Sequence, residues 1–448
     1  MFKQALVLGA GMVSGPCIGY LIQNQCKVTV VSASREDIKN TEGRFPSASV
    51  LLLDIASEAN KLHDIVVKHD VVISLLPDHL HLLVTTCCID CKKNFVHVSF
   101  EGDDIRRLNQ RAVDAGITIL SEVGLDPGIN HVMAMSCIDS IKHQGGKVTS
   151  FVSLCGGLPA PECSTGPLRY KFSWYPKGML MSVVTPARFI KDGKLIEVPG
   201  GQSFDKPDVV RGLLEDHELE YVPNEDAARY KDIYGISSAG TVYTGTLRYK
   251  GFCSGIKALL DLGLFSSDSL SCLLPESPRI TWRQLICILL KLQQDSCLDK
   301  IESFLKVTFG HNESQLDLMV SLGILSNEEV PQLGTPIDAL SSLFSRKLAY
   351  AAGERDMVVL RNVIEATLPD GRKQQHTYDL VEMGQAQGDS AMATTVGLTV
   401  AICACLLMEG AITRKGAILP VTSDIYQPVL DRLAKEGIAF KSVVTQLS

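Results

Sequence analysis

Apolar residues in the first 120 positions form short runs, and between the runs they recur at three- and four-residue spacing. Short runs of this kind predict buried strands, whereas the spacing between them predicts amphipathic helices. The predicted strands are Ala5–Leu8, Lys27–Ser32, Val50–Leu53, Val71–Leu75, Phe95–Ser99 and Ile117–Leu120. Strands that alternate with helices indicate an α/β fold with a parallel, doubly wound sheet.

The pattern changes after Glu122. Val123–His131 is predicted to be a turn-rich loop in which Asn130 caps the next helix and His131 packs locally. From Thr149, β-type runs alternate with long loops, of which Cys155–Glu162 is one, so we predict a second, mixed α+β domain.

Helical spacing dominates residues 254–348, which predicts a helical insert. Strands are expected again at Met357–Leu368 and Thr377–Val381. Helices at Ser390–Met408 and Tyr426–Lys435, with Phe440–Thr445, close the chain against the first domain. The predicted domains are 1–125 with about 390–448, then 126–253 with 349–389, and the insert 254–348.

The turn after the first strand contains the residues that predict a ligand-binding site. In the stretch QALVLGAGMVSG, Gly9 permits a tight turn and Gly11 permits a pyrophosphate to approach the backbone, before a helix that begins near Met12. Ser14 occupies the third glycine position of the usual fingerprint, where a small residue still allows close packing. We therefore predict a dinucleotide site in a Rossmann domain.

The end of the second strand indicates which dinucleotide is bound. NAD enzymes usually place Asp or Glu there, whereas this chain has Ser32, Ala33, Ser34 and Arg35. Two hydroxyls and a guanidinium suit a 2′-phosphate, which favours NADP. The alternative is that Ser34 caps the next helix, with Asp37 completing a capping box, and that Arg35 is solvated.

Ligands of doubly wound sheets lie beyond the carboxyl ends of the strands. The expected cofactor contacts are Gly9, Ala10, Gly11, Met12, Val13, Ser32, Ser34, Arg35, Asp54, Ile55, Leu75, Leu76, Pro77, Gly124, Leu125 and Asp126.

Composition narrows the class of protein. The formal charge of the 448 residues is −7, which argues against a nucleic-acid partner. No signal peptide is expected, and the longest apolar run, Val396–Met408, is too short to span a bilayer. Fourteen cysteines without an export signal indicate reduced thiols and a cytoplasmic location. His79, His81, Cys87, Cys88 and Cys91 have irregular spacing, so no metal site is predicted.

Several motifs together resemble the saccharopine dehydrogenase family, in its NADP-dependent, glutamate-forming branch. They are GAGMV, DVVISLLP at Asp70, AGITILSEVGLDPG at Ala115, CGGLPAPE at Cys155, PLRYKFSW at Pro167, IYGIS at Ile233, GTLRY at Gly245, and Ser390-Ala391-Met392 with TVGL. The resemblance runs almost from end to end. It implies a Rossmann domain for NADP, a substrate and dimerisation domain with a helical insert, and a homodimer.

The resemblance also implies a reaction, in which 2-aminoadipate semialdehyde and glutamate condense and NADPH reduces the C=N bond to give saccharopine. Asp126 is the candidate for proton transfer, with a turn-stabilising role as the alternative. The implied substrate residues are Ser99, Phe100, Asp126, Trp174, Glu225, Thr246, Leu247 and Arg248, of which Arg248 can bind a carboxylate with two hydrogen bonds.

Three positions depart from the family pattern. Phe100 replaces a tyrosine, Asn130 an aspartate, and Glu225 the arginine of a P-N-R-D motif. Because Glu225 would repel a carboxylate and attract a cation, a different amine partner is one alternative. The other is an NADP-binding protein without catalytic activity, because fold does not fix function.

Overall fold

The structure is a computed structural model that describes residues 2–448. The chain forms two compact units. The first unit comprises Met1–Ser153, Tyr230–Ala239 and Met357–Ser448, and the second comprises Leu154–Arg229 and Gly240–Asp356. The short segment Tyr230–Ala239 therefore belongs to the first unit although its neighbours in sequence on both sides belong to the second.

The strands, in chain order, are β1 (Gln4–Leu8), β2 (Lys27–Ser32), β3 (Ser49–Leu52), β4 (Val71–Ser74), β5 (Asn94–His97), β6 (Thr118–Leu120), β7 (Lys147–Pro159), β8 (Ala187–Lys191), β9 (Lys194–Val198), β10 (Asp208–Leu214), β11 (His217–Pro223), β12 (Thr241–Tyr249), β13 (Asp356–Thr367), β14 (Lys373–Met383), β15 (Gly416–Ile418) and β16 (Lys441–Leu447).

The α-helices, in chain order, are α1 (Ser14–Gln23), α2 (Arg35–Arg44), α3 (Leu62–Val66), α4 (His81–Asp90), α5 (Asp103–Arg107), α6 (Asn109–Ala115), α7 (Ile129–His143), α8 (Pro176–Val184), α9 (Tyr230–Ile233), α10 (Phe252–Asp261), α11 (Trp282–Leu289), α12 (Leu298–Phe309), α13 (Glu313–Leu322), α14 (Pro336–Lys347), α15 (Ala391–Glu409) and α16 (Ser423–Lys435).

A seven-stranded parallel sheet forms the centre of the first unit, in the order β15-β6-β5-β4-β1-β2-β3. Its strands β1, β4 and β6 are almost entirely buried, as in helix-covered parallel sheets, whereas the edge strand β3 is mostly exposed. The order reverses at β1, which pairs with β2 on one side and with β4 on the other, so that Leu8 lies beside both Val31 and Ser74. The predicted doubly wound α/β fold is confirmed, and β1 ends at its topological switch point.

The C-terminal part of the chain completes this unit. Strand β15 pairs with β6, and α15 packs on α1. Helix α15 has 19 residues and is apolar enough to cross a membrane by length and composition, but 94% of its apolar window is buried inside the protein. It is therefore a core helix. Strands β13, β14 and β16 form an antiparallel ladder in the same unit.

The second unit contains antiparallel strands and the helices of the predicted insert. Strands β10, β11 and β12 pair in that order, and the hairpin of β8 and β9 joins β12. Helices α8 and α14 pack together, as do α10 and α13. The mixed α+β architecture predicted from Thr149 onward is thereby confirmed.

Two local predictions were wrong. Residues 155–159 lie in β7 rather than in a loop, because a Cβ at Gly156 would lie 2.8 Å from the Leu247 Cβ; glycine here serves close packing and not a turn. Helix α7 begins after Gly128, so Asn130 is inside its first turn and does not cap it. Phe440–Thr445, for which no type of secondary structure was predicted, overlaps strand β16.

Candidate functional site

The turn after β1 has the shape of an anion site. Gly9 has a φ of +100°, and its amide donates to the Val31 carbonyl at 2.8 Å. A Cβ at Gly9 would lie 3.1 Å from the Leu75 carbonyl, whereas one at Gly11 would meet nothing within 4 Å. Within residues 2–448, the amides of the segment 10–13 donate to no acceptor. Four unpaired N–H groups before a helix favour a bound anion such as a pyrophosphate.

Helix α1 approaches its neighbour closely at this turn. The Ser14 hydroxyl donates to the Gly11 carbonyl at 2.8 Å and is buried. A Cβ at Gly397 on α15 would lie 2.9 Å from both the Cys17 amide and the Val13 carbonyl. Gly397 therefore permits the close approach of α15 to the first turn of α1.

At the end of β2, Ser34 caps the following helix, as the alternative interpretation of this segment predicts. Ser34 is the N-cap of α2, and its hydroxyl oxygen accepts from the Asp37 amide at 3.2 Å. The Ser32 hydroxyl oxygen accepts from the Ser34 amide at 3.1 Å, and burial raises the pKa of the Asp37 carboxyl. Arg35 is exposed and has no ion pair within residues 2–448. Of the three predicted 2′-phosphate ligands, Arg35 is the one with all its donors available.

The predicted residues after β3 and β4 lie along the same sheet edge. Asp54 binds its own turn, accepting from the Ala56 amide at 3.0 Å and from the Ser57 hydroxyl at 2.9 Å. The Leu75 amide donates to the Leu8 carbonyl at 2.8 Å, which extends the β4–β1 pairing toward Gly9. The three remaining predicted contacts are the buried Ile55, the half-buried Leu76 and the exposed Pro77.

The loop between β6 and α7 is tightly organised. Gly124 and Leu125 are buried, and the Gly124 amide donates to the Pro127 carbonyl at 2.9 Å across a cis Asp126–Pro127 bond. Asp126 is half-buried, and its Oδ1 accepts from the Asn130 Nδ2 at 2.7 Å. An aspartate at position 130 could not donate this bond.

Ser99 and Phe100 follow β5, next to this loop. Both are half-buried, and the Ser99 carbonyl accepts from the Glu122 amide at 3.2 Å. The first unit thus brings the predicted residues Ser99, Phe100 and Asp126 to neighbouring loops at the carboxyl end of its sheet.

Arg248 lies in the second unit, on β12, and only 5% of it is exposed. Its guanidinium carbon lies 5.1 Å from the centre of the Tyr170 ring and 5.0 Å from that of Phe252, and its Nη1 donates to the Leu247 carbonyl at 2.8 Å. Within the described chain its Nε has no hydrogen-bond partner and no carboxylate forms a salt bridge with it.

A buried glutamate lies opposite Arg248 but accepts a hydrogen bond from a different group. Glu220 on β11 pairs with Arg248 in register, yet its Oε1 accepts from the Cys253 amide at 2.6 Å, at the N-terminus of α10. This interaction stabilises the carboxylate at the positive end of the helix. Arg248 is therefore a buried cation without a salt-bridge partner, which is costly unless an anion binds there.

The second unit contains four other predicted substrate residues, which lie on different elements. Trp174 is half-buried, and its Nε1 donates to the Tyr170 hydroxyl at 3.2 Å, so it belongs to the aromatic group around Arg248. Thr246 and Leu247 precede Arg248 on β12. Glu225 lies in the turn after β11, where its φ is +53° and its carbonyl accepts from the Arg188 amide at 2.9 Å.

Comparison with known proteins identifies the family. Residues 5–120 match the saccharopine dehydrogenase NADP binding domain, and residues 124–438 match the saccharopine dehydrogenase C-terminal domain. The chain belongs to the saccharopine dehydrogenase family. The predicted resemblance and the predicted NADP-type dinucleotide domain are thereby confirmed.

Individual relatives match over nearly the whole chain. The bovine (Bos taurus) mitochondrial alpha-aminoadipic semialdehyde synthase is 40% identical over 99% of this chain, which spans about half, 48%, of that protein's length. The NADP(+), L-glutamate-forming saccharopine dehydrogenase of Pyricularia oryzae is 36% identical, over 99% of both chains. The apo structure of the L-Glu-forming enzyme of Saccharomyces cerevisiae superposes with a TM-score of 0.86 at 33% identity, over 99% of this chain and all of the other.

Sequence reasoning missed several residues in these sites. It did not place Tyr170 or Phe252 against Arg248, although Tyr170 lies in the PLRYKFSW motif. It treated His131 as a local packing residue, whereas His131 bonds both Glu122 and Tyr234. Among residues 2–448 no group of three or more potential metal ligands is present.

Proposed function

We propose that this chain is an NADP-dependent oxidoreductase that acts on a secondary amine. In one direction it condenses 2-aminoadipate semialdehyde with glutamate and reduces the product to saccharopine, and in the other it oxidises saccharopine. The substrate class is inferred from the buried guanidinium of Arg248, which packs against two aromatic rings and has no salt-bridge partner in residues 2–448.

A carboxylate is the natural ligand of such a group. The planar guanidinium can donate two parallel hydrogen bonds, and burial makes these bonds stronger than they are in water. Saccharopine carries three carboxylates. Tyr170 and Phe252 pack against the guanidinium, which reduces the conformational entropy that is lost when the carboxylate binds.

The first unit supplies the cofactor part of the proposal. The free amides of residues 10–13 bind the pyrophosphate, and Arg35 binds the 2′-phosphate. When bound, the nicotinamide supplies or accepts the hydride. Because a protonated C=N carbon is already strongly electrophilic, the protein's main tasks are alignment and proton transfer.

Asp126 is the proposed proton-transfer group. Formation of the C=N bond from the amine and the aldehyde releases water, and this loss requires a proton on the departing hydroxyl. The half-buried carboxylate of Asp126 lies in the loop after β6 and is oriented by the amide of Asn130. Ser99 and Phe100, on the adjacent loop, are proposed to contact the substrate.

Steady-state kinetics with NADPH, 2-aminoadipate semialdehyde and a panel of amines test the proposal. Turnover with glutamate supports it, whereas turnover only with amines that lack the second carboxylate indicates a different amine partner. NADPH binding without turnover of any amine would contradict catalytic activity. The proposed homodimer and cytoplasmic location are tested by sedimentation velocity and by cell fractionation.

A further inference from the structure

Three buried side chains in the first unit form a connected group that the proposed chemistry does not use. The His131 Nε2 lies 2.7 Å from the Glu122 Oε2, and the His131 Nδ1 lies 2.5 Å from the Tyr234 hydroxyl. Glu122 and His131 are completely buried, and Tyr234 is 1% exposed. Tyr234 belongs to the IYGIS motif, to which sequence analysis gave no role.

Glu122 connects two loops at the carboxyl end of the sheet. Its Oε1 accepts from the Glu101 amide at 2.9 Å, in the loop that carries Ser99 and Phe100. Its own backbone begins the loop that carries Asp126, and it adopts a φ of +62°. Left-handed backbone is uncommon for a residue with a side chain and is kept only where the surroundings enforce it.

His131 lies in the first turn of α7 and holds the other end of the Asp126 loop. Its amide donates to the Asn130 Oδ1 at 2.9 Å, and the Asn130 Nδ2 donates to Asp126 at 2.7 Å. A displacement of His131 would therefore move the residue that orients Asp126.

Tyr234 completes the group. A carboxylate can only accept, so the hydrogen of the His131 imidazole is placed on Nε2, and Nδ1 is left to accept from the Tyr234 hydroxyl. The rings of His131 and Tyr234 also meet edge to face, with 5.8 Å between their centres. A buried imidazole and carboxylate need all their hydrogen bonds satisfied, because water is not available to replace a lost one.

We propose that Tyr234, acting through His131 and Glu122, is a positioning residue that holds the loops of Ser99–Glu101 and Glu122–Asn130 in register with each other. The loss of its hydroxyl loosens both loops and slows the catalytic step, with little effect on cofactor binding. The kinetic part rests on the proposed function, whereas the loop order can be measured without turnover.

The test compares Tyr234→Phe with Tyr426→Phe in the full chain. Tyr426 is a matched control, because its hydroxyl bonds another side chain of α7, Asp139, at 2.8 Å, eight residues along the helix from His131. One hydrogen bond contributes about 0.5–1.5 kcal/mol, which corresponds to roughly a two- to twelvefold change at about 1.4 kcal/mol for each factor of ten. In Tyr234→Phe, amide hydrogen exchange in both loops should rise by about that factor, and kcat should fall similarly. The Kd of NADPH should change less than about twofold.

The outcomes separate the two proposals. Exchange in both loops that equals wild type, or that rises equally in Tyr426→Phe, would overturn the positioning role, as would a changed Kd with an unchanged kcat. Faster exchange confined to these loops supports the positioning role even if wild type turns over no amine, and in that case the proposed function fails alone.

Discussion

Replacing Arg248 with lysine should weaken substrate binding while leaving the cofactor site intact. The guanidinium carbon lies 5.1 Å from the Tyr170 ring centre and 5.0 Å from that of Phe252, and the Glu220 Oε1 accepts from the Cys253 amide. Lysine keeps the positive charge but lacks the planar pair of donors.

The size of the effect follows from the number of hydrogen bonds lost. Losing one of two charge-assisted bonds to a carboxylate costs about 1.5–3 kcal/mol, and about 1.4 kcal/mol corresponds to a factor of ten. The KM for saccharopine should therefore rise roughly 10- to 150-fold in Arg248→Lys, with the Kd of NADPH unchanged.

The assay follows NADP+ reduction over a range of saccharopine concentrations, with NADPH titrations on the same preparations. Arg169→Lys is the matched control, because the Arg169 guanidinium also stacks on an aromatic ring of the second unit, 4.7 Å from the centre of Tyr249, but has no predicted substrate role. An unchanged KM in Arg248→Lys, or an equal rise in Arg169→Lys, would refute the reasoning.

Three further substitutions test the remaining residues of the proposal. Arg35→Ala should raise the Kd of NADPH by about 10- to 150-fold and leave that of NADH unchanged, and equal wild-type affinities for the two cofactors would refute the 2′-phosphate assignment. Gly11→Val should abolish NADPH binding in calorimetry at an unchanged Tm, because a Cβ there meets no protein atom within 4 Å, and retained binding would show that this turn does not hold the cofactor. If Glu225 faces the amine partner, Glu225→Arg should raise kcat/KM for saccharopine, whereas efficient wild-type turnover that the substitution leaves unchanged would exclude a substrate switch at this position.

Six strands of the parallel sheet were predictable because each is a short apolar run between polar segments, whereas the three-residue strand β15 was not predicted. Strand β2 was predicted with its observed bounds, and β3 was displaced by one residue. The turn at Gly9 and Gly11 was predictable because paired glycines between a strand and a helix are typical of a dinucleotide-binding turn. Ser34 caps α2, which was the alternative to its predicted contact with a 2′-phosphate.

Contacts between residues far apart in sequence were not predictable. Tyr234 meets His131 from 103 positions away, in a segment whose neighbours in sequence belong to the other unit. The strand at Cys155–Pro159 was missed because Gly156 suggests a turn unless the close approach of Leu247 is known. The three predicted domains and the two observed units divide the chain at different points, since periodicity along the chain does not report which elements pack together.

Oxidation of saccharopine by the purified wild-type chain tests the central claim most directly. The measurement is the formation of NADPH from NADP+ and saccharopine, with glutamate and 2-aminoadipate semialdehyde identified as products by mass spectrometry. The proposed function predicts stoichiometric formation of all three, with NADP+ strongly preferred over NAD+. A chain that binds NADPH tightly but yields none of these products, in either direction, would contradict it.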